Sequence, residues 1–251
     1  MTTPHQAIPG YSKSWQTARY KFSFAKFLGC VCAALLLIGA PHAAAQAGDL
    51  ESVLSAMDQA AATFRSAQVD LTADVYESVV KEHTYQGGLM YISKAGKNGN
   101  DVRMYADFNQ PENQKKQVLF KNNKLELYNP ITKTSNVYDT EKNKEAVQSF
   151  LVLGFGSPGH DLARQFQVKY AGPEVVAGIK AAKLELTPKS ERVRNMFNTI
   201  VLWIDMNSNS PTRGLSVQQK FIDLDGNYRL VTYSNMRINT KLPHNIFEIK
   251  K

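Results

Sequence analysis

Residues 102–138 read VRMYADFNQPENQKKQVLFKNNKLELYNPITKTSNVY, and this stretch decides the fold class. Apolar and polar side chains alternate from Val102 to Phe108, which is the period of a half-buried strand. Short strand-like runs follow it, separated by the turn residues Asn122-Asn123 and Asn129-Pro130. Parallel neighbours need long crossover connections, so turns this close together predict an antiparallel meander.

Outside this stretch the chain predicts two helical segments and more strands. Apolar residues recur at helical spacing from Asp49 to about Ala67 and again from Glu141 to Phe155. The loop Gly154–Gly159 is rich in glycine, and we predict that it is a flexible gate or hinge. Further strands are predicted at 69–76, 85–94, 167–170, 182–187, 199–205, 215–223 and 228–239.

This element order predicts an α+β fold with a strongly curved antiparallel sheet. A sheet of about ten strands tends to curl or close, and two helices are too few to cover it flat. Several strands, such as Thr199–Asp205, have apolar side chains on both faces. Two interpretations stay open at this point: the curled sheet encloses a deep apolar cavity, or its side chains fill the core completely.

The N-terminal 45 residues are predicted to be a secretory signal peptide. Basic residues up to Lys26 precede an apolar run that Pro41 ends, and small residues follow it. We expect cleavage after Ala45, with Ala47 as the alternative site. An uncleaved anchor is the other interpretation, although the run is shorter than the ~20 residues of a spanning helix. Residues 46–251 are then expected to be exported as a single domain.

Charge and composition exclude several classes of function. The formal net charge is +8, but four basic residues and no acidic ones lie in the first 45 positions, leaving 26 basic against 22 acidic residues. That balance does not favour nucleic-acid binding. Cys30 and Cys32 leave with the predicted leader. His83, His160 and His244 lie far apart and outside known catalytic or metal-binding spacings, so we expect no enzyme, no cofactor and no metal.

Several modest motifs, taken in their order and spacing, resemble the LolA family of periplasmic carriers. The resemblance covers nearly the whole chain after the leader. It rests on a glycine-led strand that ends in a basic residue, on its neighbour, on a turn with a Tyr-Asn-Pro ending and on three later segments. These motifs are Gly87–Lys94, Val102–Tyr105, Lys121–Pro130, Leu186–Lys189, Leu202–Asp205 and Asn245–Ile249.

The resemblance implies an incomplete, strongly curved barrel with helices as a lid over its concave face. It also implies a monomeric periplasmic protein that shields the acyl chains of a lipoprotein, or of a related lipid, between the inner and outer membranes. Its implied partners are acylated lipoprotein cargo, an inner-membrane releasing transporter and an outer-membrane receptor. Two other functions are open: a periplasmic lipid-sensing regulator of the same fold, and the lipoprotein-accepting receptor itself.

Alternate positions on the strands supply the candidate cavity lining, although sequence does not reveal which face is concave. Lys94 stands where the family has a lid-closing arginine, so we predict that Lys94 and Arg103 contact the lid or a partner. Met104 stands where an aromatic residue is common in the family. The predicted lipid-binding residues are Met90, Ile92, Met104, Leu125, Leu127, Phe150, Leu151, Leu202, Ile204 and Phe221.

Overall fold

A computed structural model describes residues 41–95 and 101–250. The predicted signal peptide therefore lies outside the described residues, apart from its last five positions. The same holds for most of the predicted hairpin turn between β2 and β3, at residues 96–100.

The strands in the described residues form one antiparallel sheet that is not closed into a barrel. Its spatial order is β6-β5-β4-β3-β2-β1-β11-β10-β9-β8-β7, so strands that pair are consecutive in sequence except where β1 meets β11. The predicted α+β fold with a meandering sheet is confirmed. The strands are β1 Ser66–Glu77, β2 Glu82–Ala95, β3 Asp101–Gln110, β4 Lys116–Lys121, β5 Lys124–Asn129, β6 Thr134–Asp139, β7 Phe166–Val176, β8 Ile179–Pro188, β9 Thr199–Asp205, β10 Ser216–Ile222 and β11 Tyr228–Ile238.

Four α-helices accompany the sheet in the described residues: α1 Pro41–Thr63, α2 Lys144–Leu151, α3 Gly159–Gln165 and α4 Glu191–Arg194. Short 3-10 turns lie at Glu112–Gln114 and Glu141–Asn143. The first helix ends four residues earlier than predicted, because Ala67 already pairs with Ile92 and Ile238 in the sheet. The second predicted helix ends at Leu151, and the remaining residues form turns.

One row of side chains on neighbouring strands identifies the concave face. Ile92 lies opposite Met104, Met104 opposite Phe120, and Phe120 opposite Leu125. Directly opposed residues of an antiparallel pair share a face, so all four point to one side of the sheet. Ile92 and Phe120 have no exposed surface, because the helical segments cover this side.

Glycine is required where β2 crosses β3. A Cβ atom on Gly88 would lie 2.0 Å from the carbonyl oxygen of Asp107, which is inside the contact distance of any side chain. The register shifts by one residue at this point, so the strands bend there. A steric requirement therefore explains the glycine in this strand, which is part of the resemblance in sequence.

Helices α1 and α3 cover the half of the concave face formed by β7, β8 and β9. Val53 and Met57 of α1 and Leu162 of α3 pack against Leu184 and Leu202. The convex face carries apolar residues too, which explains the strands that are apolar on both sides. Over β2, β3 and β4 this face is covered by the C-terminal segment.

Candidate functional site

The other half of the concave face, walled by β1–β4 and β10–β11, holds an open hollow of about 700 Å³. That volume lies within the range of about 300–1,000 Å³ that is typical of ligand-binding pockets. Helix α2 and the turn after it form the roof. Most of the lining side chains are aliphatic or aromatic, and they include Met90, Met104, Ala106, Phe108, Val118, Phe150, Leu151, Phe155, Phe197, Phe221, Val231 and Tyr233.

Five of the predicted lining residues border this hollow. Three come from strands β2, β3 and β10, and two come from helix α2 in the roof. They are Met90, Met104, Phe221, Phe150 and Leu151. Residues that are far apart in the sequence thus meet around the same hollow.

The other five predicted residues do not line the hollow. Ile92, Leu202 and Ile204 are fully buried, and protein side chains fill the space around them. Leu125 packs beside the same core, in part exposed. Leu127 is 37% exposed near the sheet edge, although its pairing with Val118 places it on the concave side.

The roof of the hollow contains an aromatic cluster that the sequence did not reveal in full. Phe150 stacks on Phe197 with ring centroids 5.5 Å apart, and both rings contact Phe221 at 5.4 and 5.7 Å. Phe197 follows the short helix α4 and belongs to no periodic pattern, so no local signal indicated it. Edge and offset contacts of this kind hold the roof against β10.

Lys94 fastens the roof to the sheet. Its Nζ donates a hydrogen bond of 3.0 Å to the carbonyl oxygen of Gly156. Burial, and then the charge of Arg65, lower the pKa of Lys94. Arg103, the other predicted lid contact, instead forms an ion pair with Asp101 on its own strand.

The turn between α2 and α3, residues 152–157, is buried against the sheet in this structure. The Gly154 carbonyl accepts a hydrogen bond of 2.8 Å from the Ser216 amide, and Gln219 Nε2 donates to the Leu153 carbonyl at 2.6 Å. Gly154 and Gly156 have φ of +74° and +100°. Proline cannot adopt these angles, and glycine adopts them without strain, so the backbone of this turn requires glycine at both positions.

A buried polar pair supports this turn from below. Tyr233 donates a hydrogen bond of 3.0 Å to Gln219 Oε1, and the amide of Gln219 continues to the Leu153 carbonyl. Burial raises the pKa of Tyr233, so its hydroxyl stays a donor at any physiological pH. The roof is therefore held at Lys94 on one side and at Gln219 on the other.

The described residues include no group of three or more histidine, cysteine, aspartate or glutamate side chains arranged to hold a metal ion. No helix in the described part of the chain is both long and apolar enough to cross a bilayer. What distinguishes the site is its shape and its apolar lining.

Comparison with known proteins gives matches to solved structures only. No protein-family model matches the chain, and no curated protein matches it. A LolA superfamily protein from Nitrosomonas europaea is 14% identical over 80% of this chain and 97% of its own, with a TM-score of 0.40. A putative outer membrane lipoprotein-sorting protein domain from Vibrio parahaemolyticus is 15% identical over 79% and 94%, with a TM-score of 0.41.

The Pseudomonas aeruginosa MucA/MucB complex also matches, at 13% identity and a TM-score of 0.44; 80% of this chain aligns with 61% of that one. An open, curled antiparallel sheet beneath helices is what the resemblance in sequence implied. At identities this low the function of this chain is inferred from its own hollow.

His160 joins the two helices that cover the filled half of the sheet, and it makes this junction sensitive to pH. Its Nδ1 bonds Asp58 and its Nε2 lies 3.2 Å from Glu51 Oε1, both on α1. The hydrogen bond and the charge of Asp58 raise the pKa of His160 above 6.5. This stabilisation is complete below the unfolded-state pKa and is lost as pH rises through the folded-state pKa.

We therefore expect His160→Gln to lower the melting temperature at pH 5.5 but to have little effect at pH 9. Thermal unfolding followed by circular dichroism at both pH values measures the difference. His244→Gln is the matched control, because His244 is exposed in the C-terminal segment. Equal losses at the two pH values would contradict a role for the protonated imidazole.

Proposed function

We propose that this protein is a non-enzymatic periplasmic carrier that shields the acyl chains of a lipoprotein, or of a related lipid, in its hollow. The observation that supports this proposal is the open, apolar space of about 700 Å³ beneath a fastened roof. Each CH₂ group that leaves water contributes ~0.8 kcal/mol, so about twelve of them give roughly 10 kcal/mol before costs. Capture then requires no chemical reaction.

The roof explains how such a carrier releases its cargo. An empty apolar hollow is unfavourable in water, so the roof stays fastened over part of it when no cargo is bound. We call this arrangement the closed state. Incoming acyl chains displace the roof, and the loss of the roof contacts lowers the net affinity. Binding is then weak enough for the cargo to pass to an acceptor.

The predicted leader places this exchange in the periplasm. We propose that residues 1–45 direct export and are removed, and that the remainder works as a monomer. An inner-membrane transporter would load the cargo and an outer-membrane receptor would accept it, as the resemblance to LolA implies.

Native mass spectrometry of the protein isolated from periplasm tests the carrier proposal. We expect an adduct with the mass of an acylated protein or lipid. A clean apo mass, with no uptake of added palmitoylated lipoprotein, would contradict the carrier and favour the regulator.

Removing the Lys94 hydrogen bond should make cargo exchange faster. Lys94→Met leaves the Gly156 carbonyl without its donor, which costs the closed state about 1–3 kcal/mol. We expect roughly tenfold faster transfer of a fluorescent palmitoylated peptide to vesicles in stopped-flow measurements. Arg103→Met is the control, because Arg103 pairs with Asp101 and does not contact the roof. An unchanged rate for Lys94→Met would show that this bond does not hold the roof.

A further inference from the structure

Arg229 is a basic residue on the wall of an otherwise apolar hollow. It lies near the start of β11, opposite Val75 of β1 and Phe221 of β10. In the part of the chain that the structure describes, its guanidinium forms no hydrogen bond and no ion pair. Arg229 is a solvent-exposed residue where it borders the hollow, and partial shielding from water by the surrounding wall lowers its pKa.

Lys116 is a second cation on the same side of the sheet. Its Nζ donates a hydrogen bond of 2.8 Å to Gln86 Oε1 and stands 4.7 Å from the centre of the Phe108 ring, which lines the hollow. Burial, and then the charge of Arg229, lower the pKa of Lys116 to about 8. Both cations thus lie at the wall of the same hollow, and in the described residues neither has a carboxylate partner.

Two acidic residues also border the hollow, but neither neutralises these cations. Asp223 accepts hydrogen bonds of 2.9 Å from the amides of Asp225 and Asn227, so it is engaged in the β10–β11 turn. Glu77, at the end of β1, forms no ion pair with Arg229. The exposed Arg229 and the half-buried Lys116 thus leave two cations at this hollow without an anionic partner, and a bound anion would be stabilised by both.

We propose that Arg229 and Lys116 bind the anionic headgroup of an amphiphile whose acyl chain occupies the hollow. A guanidinium recognises a phosphate or a carboxylate through two parallel hydrogen bonds, and an ammonium adds a point charge. The inference rests on the carrier function proposed above and narrows its ligand to acyl chains that end in a phosphate or a carboxylate.

A matched pair of ligands tests this inference. 1-Palmitoyl-lysophosphatidic acid and 1-palmitoylglycerol carry the same chain and differ by the phosphate. Their affinities for the full protein, with palmitate and inorganic phosphate as further probes, are measured at pH 7 by displacement of a fluorescent acyl probe. We expect the phosphate-bearing lipid to bind at least tenfold more tightly than the neutral one, and added salt to reduce that difference.

The variants Arg229→Gln and Lys116→Gln should each reduce the preference for the anionic lipid severalfold and leave the affinity for 1-palmitoylglycerol unchanged. Arg237→Gln is the control, since Arg237 is exposed on the same strand as Arg229 but does not border the hollow. Palmitate in place of the phosphate lipid shows whether a carboxylate serves equally well.

The outcomes separate this inference from the carrier proposal. Equal affinities for the charged and the neutral lipid would overturn the headgroup site and leave the carrier standing. Binding of neither lipid would overturn both. Inorganic phosphate that binds as tightly as the phosphate lipid would also overturn the inference, because the acyl chain would then contribute nothing. The salt series on the wild-type protein decides the matter if a variant fails to fold.

Discussion

An indole placed inside the hollow should weaken acyl-chain binding about a hundredfold without unfolding the protein. Ala106 of β3 is 4% exposed and borders the hollow, so the side chain of Ala106→Trp must occupy the space proposed for the ligand. Displacing about four CH₂ groups costs ~3 kcal/mol, which is roughly a hundredfold in affinity. Titration with a palmitoylated peptide, read by isothermal calorimetry, measures the loss.

Overpacking at this position costs about 1–3 kcal/mol of stability, which thermal unfolding of the same sample would register. Thr72→Trp is the control, because Thr72 is exposed and alternates with the concave residues Leu71 and Ala73 of β1. Unchanged affinity in Ala106→Trp would place the ligand elsewhere and remove the central support for the carrier.

Shortening Phe155 to alanine should have the largest effect on stability. Its ring is 1% exposed and meets Tyr233 edge-on, with centroids 4.7 Å apart. Truncating a buried phenylalanine costs about 3–5 kcal/mol, because both burial and packing contacts are lost. We expect the urea midpoint to fall with little change in slope, since the surface exposed on unfolding is nearly the same.

Phe155 also borders the hollow, so its removal enlarges the ligand space. We therefore expect Phe155→Ala to retain acyl-chain binding when it is assayed in the folded range. Val137→Ala is the control for a surface change, because Val137 is 58% exposed on β6 and should cost less than about 0.5 kcal/mol. A loss below about 1 kcal/mol in Phe155→Ala would contradict the packed roof.

The concave wall could be predicted in part because alternation is a local property. Met90 and Met104 were predicted from a period of two, which assigns each side chain to a face of the strand, and both border the hollow. Ile92 and Leu202 obey the same pattern but are buried in filled core. The pattern does not say which part of a face a helix will cover.

Two residues of the site were not predicted from the sequence: one lies outside any periodic segment, and the other lies on β11. Phe197 completes the aromatic roof from the loop after α4, and no spacing rule points to it. Arg229 alternates with apolar residues on β11, where it looks like an ordinary solvated charge. Its significance comes from the hollow that it borders and from Lys116 on β4, with three strands lying between β4 and β11.

Local signals in the chain were sufficient for the strands, for the hairpin order on each side of the sheet and for the α+β class. Alternation and tight turns act over a few residues, and those interactions are the same in any context. The pairing of β1 with β11 joins segments that are more than 150 positions apart in the sequence, and the position of the roof depends on this pairing. Contacts over that distance depend on how the whole sheet curls, and the curl decided where the core is filled and where it stays open.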